Sequence, residues 1–164
     1  MRKRKFTFYV SFLSLFLLLF LIGCSGKSGG GDDESADLKS ADSQALAYIQ
    51  ASVEGDDDLL KTLLQPDQSR YKILKDGRHN SPGAFERMGK KYSIYRYSKE
   101  PNEIGELYYK VSYYRENHQK YFSDLLKMIK EDSQWKIREI DEEEMSRNAN
   151  PDEVITVHKS DGEG

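Results

Sequence analysis

Apolar residues fall along this chain in three successive regimes. From Phe6 to Ile22 no charged residue occurs, and Phe and Leu predominate. From Leu38 to Val53 apolar positions recur at steps of three and four, and from Lys91 onward they tend to alternate. Steps of three and four place side chains on one stripe of a helix, whereas alternation places them on one face of a strand.

The helical stripe over 38–53 is Leu38, Ala41, Ala45, Tyr48/Ile49 and Ser52/Val53, and Gly55 follows as its stop, since glycine tolerates the left-handed conformation. A second helix is predicted over Leu59–Leu64, preceded by Asp56-Asp57-Asp58 and closed by Pro66. Acids at a helix start favour the positive end of its dipole. The triplet lacks the alternating oxygen ligands of a calcium loop, so capping is preferred over metal binding. Arg70 to Lys75 reads as a short strand ending in the Asp76-Gly77 turn. Ser81-Pro82 predicts a helix start, with Ser as cap and Pro in the first helical position, and the helix runs through Phe85 and Met88 to Gly89.

Four strands follow, over Lys91–Ser98, Ile104–Glu116, Lys120–Glu131 and Gln134–Asp141. Their short connections force antiparallel neighbours. In the second, Leu107, Tyr109, Val111 and Tyr113 share one face, with Glu106, Lys110 and Ser112 on the other. In the third, Phe122, Asp124, Leu126 and Met128 alternate with Tyr121, Leu125 and Ile129. Both faces are partly apolar there, which predicts either a bulge or a strand covered on both sides. The fold class expected is α+β, with N-terminal helices packed on a curved, four-stranded antiparallel meander.

The order of elements resembles the nuclear-transport-factor-2-like fold, also called ketosteroid-isomerase-like or SnoaL-like. The residues that carry the resemblance are the opening Ala45-Leu46-Ala47-Tyr48-Ile49-Gln50, the Glu54-Gly55-Asp56 break and the close Met128 to Ile137. That last stretch is similar to the final hairpin of small Gram-positive lipoproteins of this superfamily. The resemblance covers about residues 38–141 and lacks the extra early strand of some members. It implies a pocket between helices and sheet, in a superfamily that includes both enzymes and binding proteins. Fold alone does not decide between them.

The first apolar regime acquires its meaning from its flanks. Arg2, Lys3, Arg4 and Lys5 precede it, and Leu21-Ile22-Gly23-Cys24 closes it. A basic start, an apolar run and small residues at a cut site mark a secretory signal. The closing four residues resemble the bacterial lipobox: cleavage falls between Gly23 and Cys24, removing residues 1–23. The seventeen uncharged residues from Phe6 to Ile22 make about 25 Å of helix, at the lower limit for spanning a bilayer. Cys24 is the only cysteine. Its thiol takes a diacylglyceryl group as a thioether, and two acyl chains (palmitate, for example) suffice for stable anchoring where one does not. Residues 24–37 then read as a flexible Gly/Ser/Asp tether spanning roughly 20 Å. The expected location is the cell membrane, on its extracytoplasmic face.

Charge is partitioned. From Cys24 onward 21 basic residues face 28 acidic ones; the stretch 38–140 is near neutral, and 141–164 holds eight acids and two bases. This gives no support to nucleic-acid binding, which needs a clustered basic excess. The segment 142–164 reads as an acidic, mobile tail, in which Val154-Ile155-Thr156-Val157 is able to add an edge strand to this molecule or to a partner. Between Arg70 and Lys91 seven bases stand against two acids; a solvated face is preferred there over a site for an anionic envelope polymer or membrane.

Catalytic chemistry has thin support. His79, His118 and His158 are dispersed, without zinc-ligand spacing, and no Gly-x-Ser-x-Gly elbow occurs. No cofactor or metal is expected. Asp124 is the one candidate general base, between Phe122 and Leu126, with Tyr109 or Tyr113 facing it as companion ligand-binding residues. The competing placement for Asp124 is a bulge or sheet rim, solvated and inert, and this is preferred. Most of the strand tyrosines are accounted for by strand propensity and cross-strand pairing, but an aromatic sheet face also suits a partner, a glycan or a homodimer. The reading favoured is a non-catalytic, membrane-anchored binding or interaction domain with an envelope protein or small ligand as partner. The alternatives are a small isomerase- or hydratase-like enzyme using Asp124, and a structural or inhibitory component of an envelope complex.

Overall fold

The computed structural model describes residues 32–98 and 105–161. The signal segment, the lipobox Leu21-Ile22-Gly23, Cys24 and the glycine run lie outside the described residues. Among the described residues no helix is long and apolar enough to cross a membrane. The fold is α+β. Helices α1 (Asp32–Glu54), α2 (Asp57–Leu63), α3 (Ser69–Ile73) and α4 (Ala84–Met88) precede strands β1 (Tyr92–Arg96), β2 (Glu106–Arg115), β3 (Lys120–Glu131) and β4 (Gln134–Ile140); helix α5 (Glu142–Asn148) and strand β5 (Ile155–His158) follow. The sheet is antiparallel, in the order β4-β3-β2-β1-β5.

Register explains the core. Tyr109 lies opposite Arg96 on one side and Leu126 on the other, and Leu126 in turn lies opposite Glu139. The rows above and below align Ile94, Val111 and Asp124, and Leu107, Met128 and Ile137. These residues form the inner face, and α1 buries Ala41, Ala45, Tyr48 and Ile49 in the same cluster. Leu107, Tyr109, Val111 and Tyr113 are all buried, as the alternation requires. β3 pairs with β2 without interruption from Lys120 to Ile129, so the expected bulge does not occur there. Its second side is instead partly covered: Lys127 on the outer face pairs with Glu106 at 2.7 Å and with Glu144 of α5 at 3.7 Å.

Several expectations need correction. α1 begins at Asp32, six residues ahead of the apolar stripe and within the stretch read as tether. Trp135 Nε1 donates to Asp37 Oδ1 at 3.2 Å, which ties this early turn to β4. Arg70 to Lys75 is not a strand; Ser69–Ile73 is helical. Gln68 docks its side chain on β4, donating to the Ile137 carbonyl at 2.7 Å and accepting from Glu139 N at 2.7 Å. That contact consumes the edge of β4, where a further strand would have paired. The helix predicted from Pro82 starts at Ala84, because Gly83 turns left-handed before it. The sheet has five strands rather than four. The tail, read as mobile from residue 142, forms α5 and then β5. Asp141 caps α5 by accepting from Glu144 N, Met145 is buried, and β5 pairs with β1.

Gly55 ends α1 as expected, at φ 62°, and a Cβ there would stand 2.8 Å from the Asn80 amide. The chain therefore breaks sharply, and the break sets α2 beside the loop 78–81. Of the acids after it, Asp56 caps α2 by accepting from Leu59 N, whereas Asp57 and Asp58 hold the loop 75–77 by accepting from Lys75 N and Gly77 N, all at 2.9–3.0 Å. They diverge to three separate backbone donors.

Candidate functional site

Three polar groups from distant elements converge on the inner sheet face around Tyr48. Its hydroxyl donates toward Asp124 Oδ2 at 3.0 Å and toward Glu139 Oε1, and accepts from Arg70 Nη1 at 2.6 Å. Arg70 also pairs with Glu139 and donates from Nη2 to Ser52 Oγ at 3.1 Å. Tyr113 donates to the same Asp124 oxygen at 2.6 Å. α1 supplies Tyr48 and Ser52, one helical turn apart on its buried stripe; α3 supplies Arg70; β2, β3 and β4 supply Tyr113, Asp124 and Glu139.

The electrostatics follow from burial. Desolvation raises the Tyr48 hydroxyl well above its ordinary pKa; Arg70 opposes this, while Asp124 and Glu139 add to it. Tyr113 is raised in the same sense, by burial first and then by Asp124. Both tyrosines are thus held as neutral donors. Burial works against the charge on Arg70, but Tyr48 and Glu139 outweigh it and hold the guanidinium above its ordinary value.

Asp124 is therefore not a solvated rim residue. It is half-buried on the inner face, and its placement follows from the unbroken register of β3. Of its proposed companions, Tyr113 reaches it, but Tyr109 does not. The Tyr109 hydroxyl donates to Asp42 Oδ1 at 2.9 Å, beside the Asp42–Arg96 pair at 2.6 and 2.7 Å, and burial followed by Asp42 raises its pKa. The structure thus brings together Asp124 and Tyr113, and places Tyr109 in a separate network.

Next to the Tyr48 network lies an open cleft of about 390 Å³, which shares Arg70 and Ser52 with it. Its lining includes Arg115 at the end of β2 with Asn117 and His118 of the turn after it, and Arg78, Asn80 and Ser81 of the loop before α4. Arg115 donates from Nη2 to the Ser52 carbonyl at 2.5 Å, and its guanidinium carbon lies 5.5 and 4.9 Å from the Tyr113 and Phe122 ring centres. Two guanidinium groups thus meet at Ser52, one on its hydroxyl and one on its carbonyl. The acids of the cleft are already engaged. Glu54 accepts from Gly83 N at 3.1 Å and lies 3.0 Å from His79 Nε2; Asp57 accepts from Lys75 N and lies 3.7 Å from Arg78 Nη1.

No pattern in the sequence singles out Arg70, Glu139, Ser52 or Arg115 as site residues. Tyr48 was legible only as part of the apolar stripe. The one available signal was the basic excess between Arg70 and Lys91, which contributes Arg70 and Arg78 to the cleft. Among the described residues no group of three or more His, Cys, Asp or Glu side chains is placed to hold a metal ion. Comparison with family models, curated proteins and solved structures finds no match.

Proposed function

We propose that this chain is a lipid-anchored domain on the extracytoplasmic face of the cell membrane that binds a small ligand in the Arg70–Arg115 cleft without transforming it. The scaffold of this reading is nuclear-transport-factor-2-like. The anchor rests on the basic start, the apolar run and Leu21-Ile22-Gly23-Cys24. The observation that carries the non-catalytic part is the state of Asp124: the oxygen it turns inward is taken by two tyrosine hydroxyls, at 3.0 and 2.6 Å. A general base must offer a lone pair to a substrate proton at hydrogen-bond reach, and here that direction is filled by protein. The cleft instead offers cations and amides along its lining, a binding surface with polar groups that orient a guest.

A second reading keeps one observation in its favour. Asp124 sits on the inner face between Tyr48 and Tyr113, so an isomerase- or hydratase-like reaction would have a carboxylate with two phenolic donors at hand. One experiment separates the two readings. The purified protein is incubated with small organic acids, ketones and phosphate esters, and bound compounds are recovered and weighed by mass spectrometry and NMR. A binding domain returns every compound unchanged, and its Asp124→Asn variant retains them. A compound returned isomerised or hydrated, with that conversion abolished in Asp124→Asn, refutes the non-catalytic reading.

A further inference from the structure

We infer that the cleft takes the phosphate group of a phosphate ester, gripped chiefly by Arg115; this rests on the reading of the cleft as a ligand site. Arg115 has no ion-pair partner among the described residues, and its Nε is buried with nothing to donate to. Its other contacts are one carbonyl and two ring faces. A half-buried cation without a counter-charge is costly. Here the cost is incurred by a group held in place: Ser52 fixes one end of the fork, and Tyr113 and Phe122 support its plane. Arg70 meets the same serine, but its charge is spent on Glu139. The surplus positive charge in the cleft therefore belongs to Arg115, with the half-exposed Arg78 in the same lining.

The shape of the donor set selects the anion. A carboxylate has two oxygens and is saturated by a single guanidinium fork, whereas a phosphate monoester presents three terminal oxygens and up to two charges. Donors here come from two segments of the chain that line the same cleft, Arg115, Asn117 and His118 from one and Arg78, Asn80 and Ser81 from the other. That spread suits a tetrahedral group. Beside them Ile73, 72% exposed, and Leu74 line the same cleft, where they meet the apolar part of an ester. The bases between Arg70 and Lys91 outnumber the acids seven to two and attract anions to this end of the molecule.

The test is a titration of the full-length protein in detergent micelles, with backbone amides of Ser52, Asn117 and His118 followed by NMR. The probes are inorganic phosphate, glycerol phosphate and, as a carboxylate, acetate. Separate arms use vesicles containing phosphatidic acid, whose headgroup is a phosphate monoester, or phosphatidylcholine alone, to tell a lipid headgroup from a soluble ester. Glycerol phosphate is expected to shift these amides saturably and acetate at least tenfold more weakly. Arg115→Ala weakens glycerol phosphate at least tenfold. Arg115→Lys, which keeps charge and bulk but loses the fork, falls between and guards against misfolding of the alanine variant. Lys110→Ala, a charge loss on the opposite sheet face, leaves binding unchanged. Equal weakening by Lys110→Ala and Arg115→Ala, or no effect of either Arg115 variant, overturns the proposal. If acetate binds as tightly as glycerol phosphate, the ligand class is wrong but the ligand site stands. If no probe moves these amides, both fall.

Discussion

Replacing Tyr48 by Phe removes a single oxygen from the inner network and leaves the ring, so no cavity opens. The hydroxyl has one proton for two carboxylates, Asp124 at 3.0 Å and Glu139, and one lone pair engaged by Arg70 at 2.6 Å. In its absence Asp124 keeps Tyr113, and Glu139 keeps Arg70, so neither carboxylate is stranded. The loss is then that of hydrogen bonds to charged partners rather than of a bare buried charge, about 1.5–3 kcal/mol. With about 2 kcal/mol as the central figure, a body of this size loses roughly 6–10 °C in Tm. In urea the midpoint falls by about 1 M with an unchanged slope. The control is Tyr114→Phe on the outer face, where the ring packs edge-on against Tyr121 at 5.3 Å; it is expected within about 0.5 kcal/mol of wild type. A double-mutant cycle with Asp124→Asn is expected to return a coupling above about 1 kcal/mol. If Tyr48→Phe is as stable as Tyr114→Phe, the network does not hold α1 to the sheet and the argument fails.

Tyr48, Tyr109 and Tyr113 all have pKa values raised in the folded state, chiefly by burial. A raised folded pKa means that stability is intact below the ordinary tyrosine value of about 10 and declines above it, as the unfolded chain deprotonates first, at up to about 1.4 kcal/mol per pH unit for each tyrosine. Urea melts between pH 9 and 12 therefore show a steep decline, and phenolate absorbance from these three rings coincides with unfolding; phenolate appearing near pH 10 with the circular dichroism intact contradicts the assignment. Asp42→Ala strips Arg96, buried at its side chain, of both its carboxylate bonds and Tyr109 of its acceptor. A loss of about 3 kcal/mol or more is expected in chemical denaturation, and Asp42→Asn recovers part of it. The β3–β4 turn holds Asp132 and Ser133 at φ 46° and 67°, the left-handed region where Asn-Gly is favoured in two-residue hairpins. Replacing the pair by Asn-Gly is expected to stabilise the protein by about 1 kcal/mol, read as a higher Tm.

The sheet was legible because it depends on local alternation and on turn residues: β3 occupies Lys120–Glu131 as its pattern reads, and Leu107 to Tyr113 point where the period-two rule sends them. α3 was not legible. Tyr71 and Ile73 alternate with Arg70 and Lys72, and five residues are too few to express a helical period; the helix is chosen by Gln68 docking on β4 and Arg70 reaching Glu139. The start of α1 was missed for a related reason, since Asp32 to Asp37 contains no apolar stripe and the sequence offers no sign that Trp135 will meet Asp37. The site divides in the same way. Asp124 stands out as an acid within an apolar strand, but its partners come from 11 and 76 residues away, and Tyr48 meets Glu139 across 91 residues. No local rule connects such positions. Arg115 illustrates the limit further, since the sequence shows an arginine ahead of a turn, whereas the fold shows a half-buried cation with no ion-pair partner among the described residues.

The proposal of a membrane-tethered binding domain is tested most directly by the intact mass of the protein extracted from membranes of cells expressing the full chain. The account predicts a mature chain that begins at Cys24 and carries a diacylglyceryl group on that residue, with Cys24→Ser leaving no acylated product. A chain that retains residues 1–23, or that begins elsewhere with no acyl mass, contradicts it.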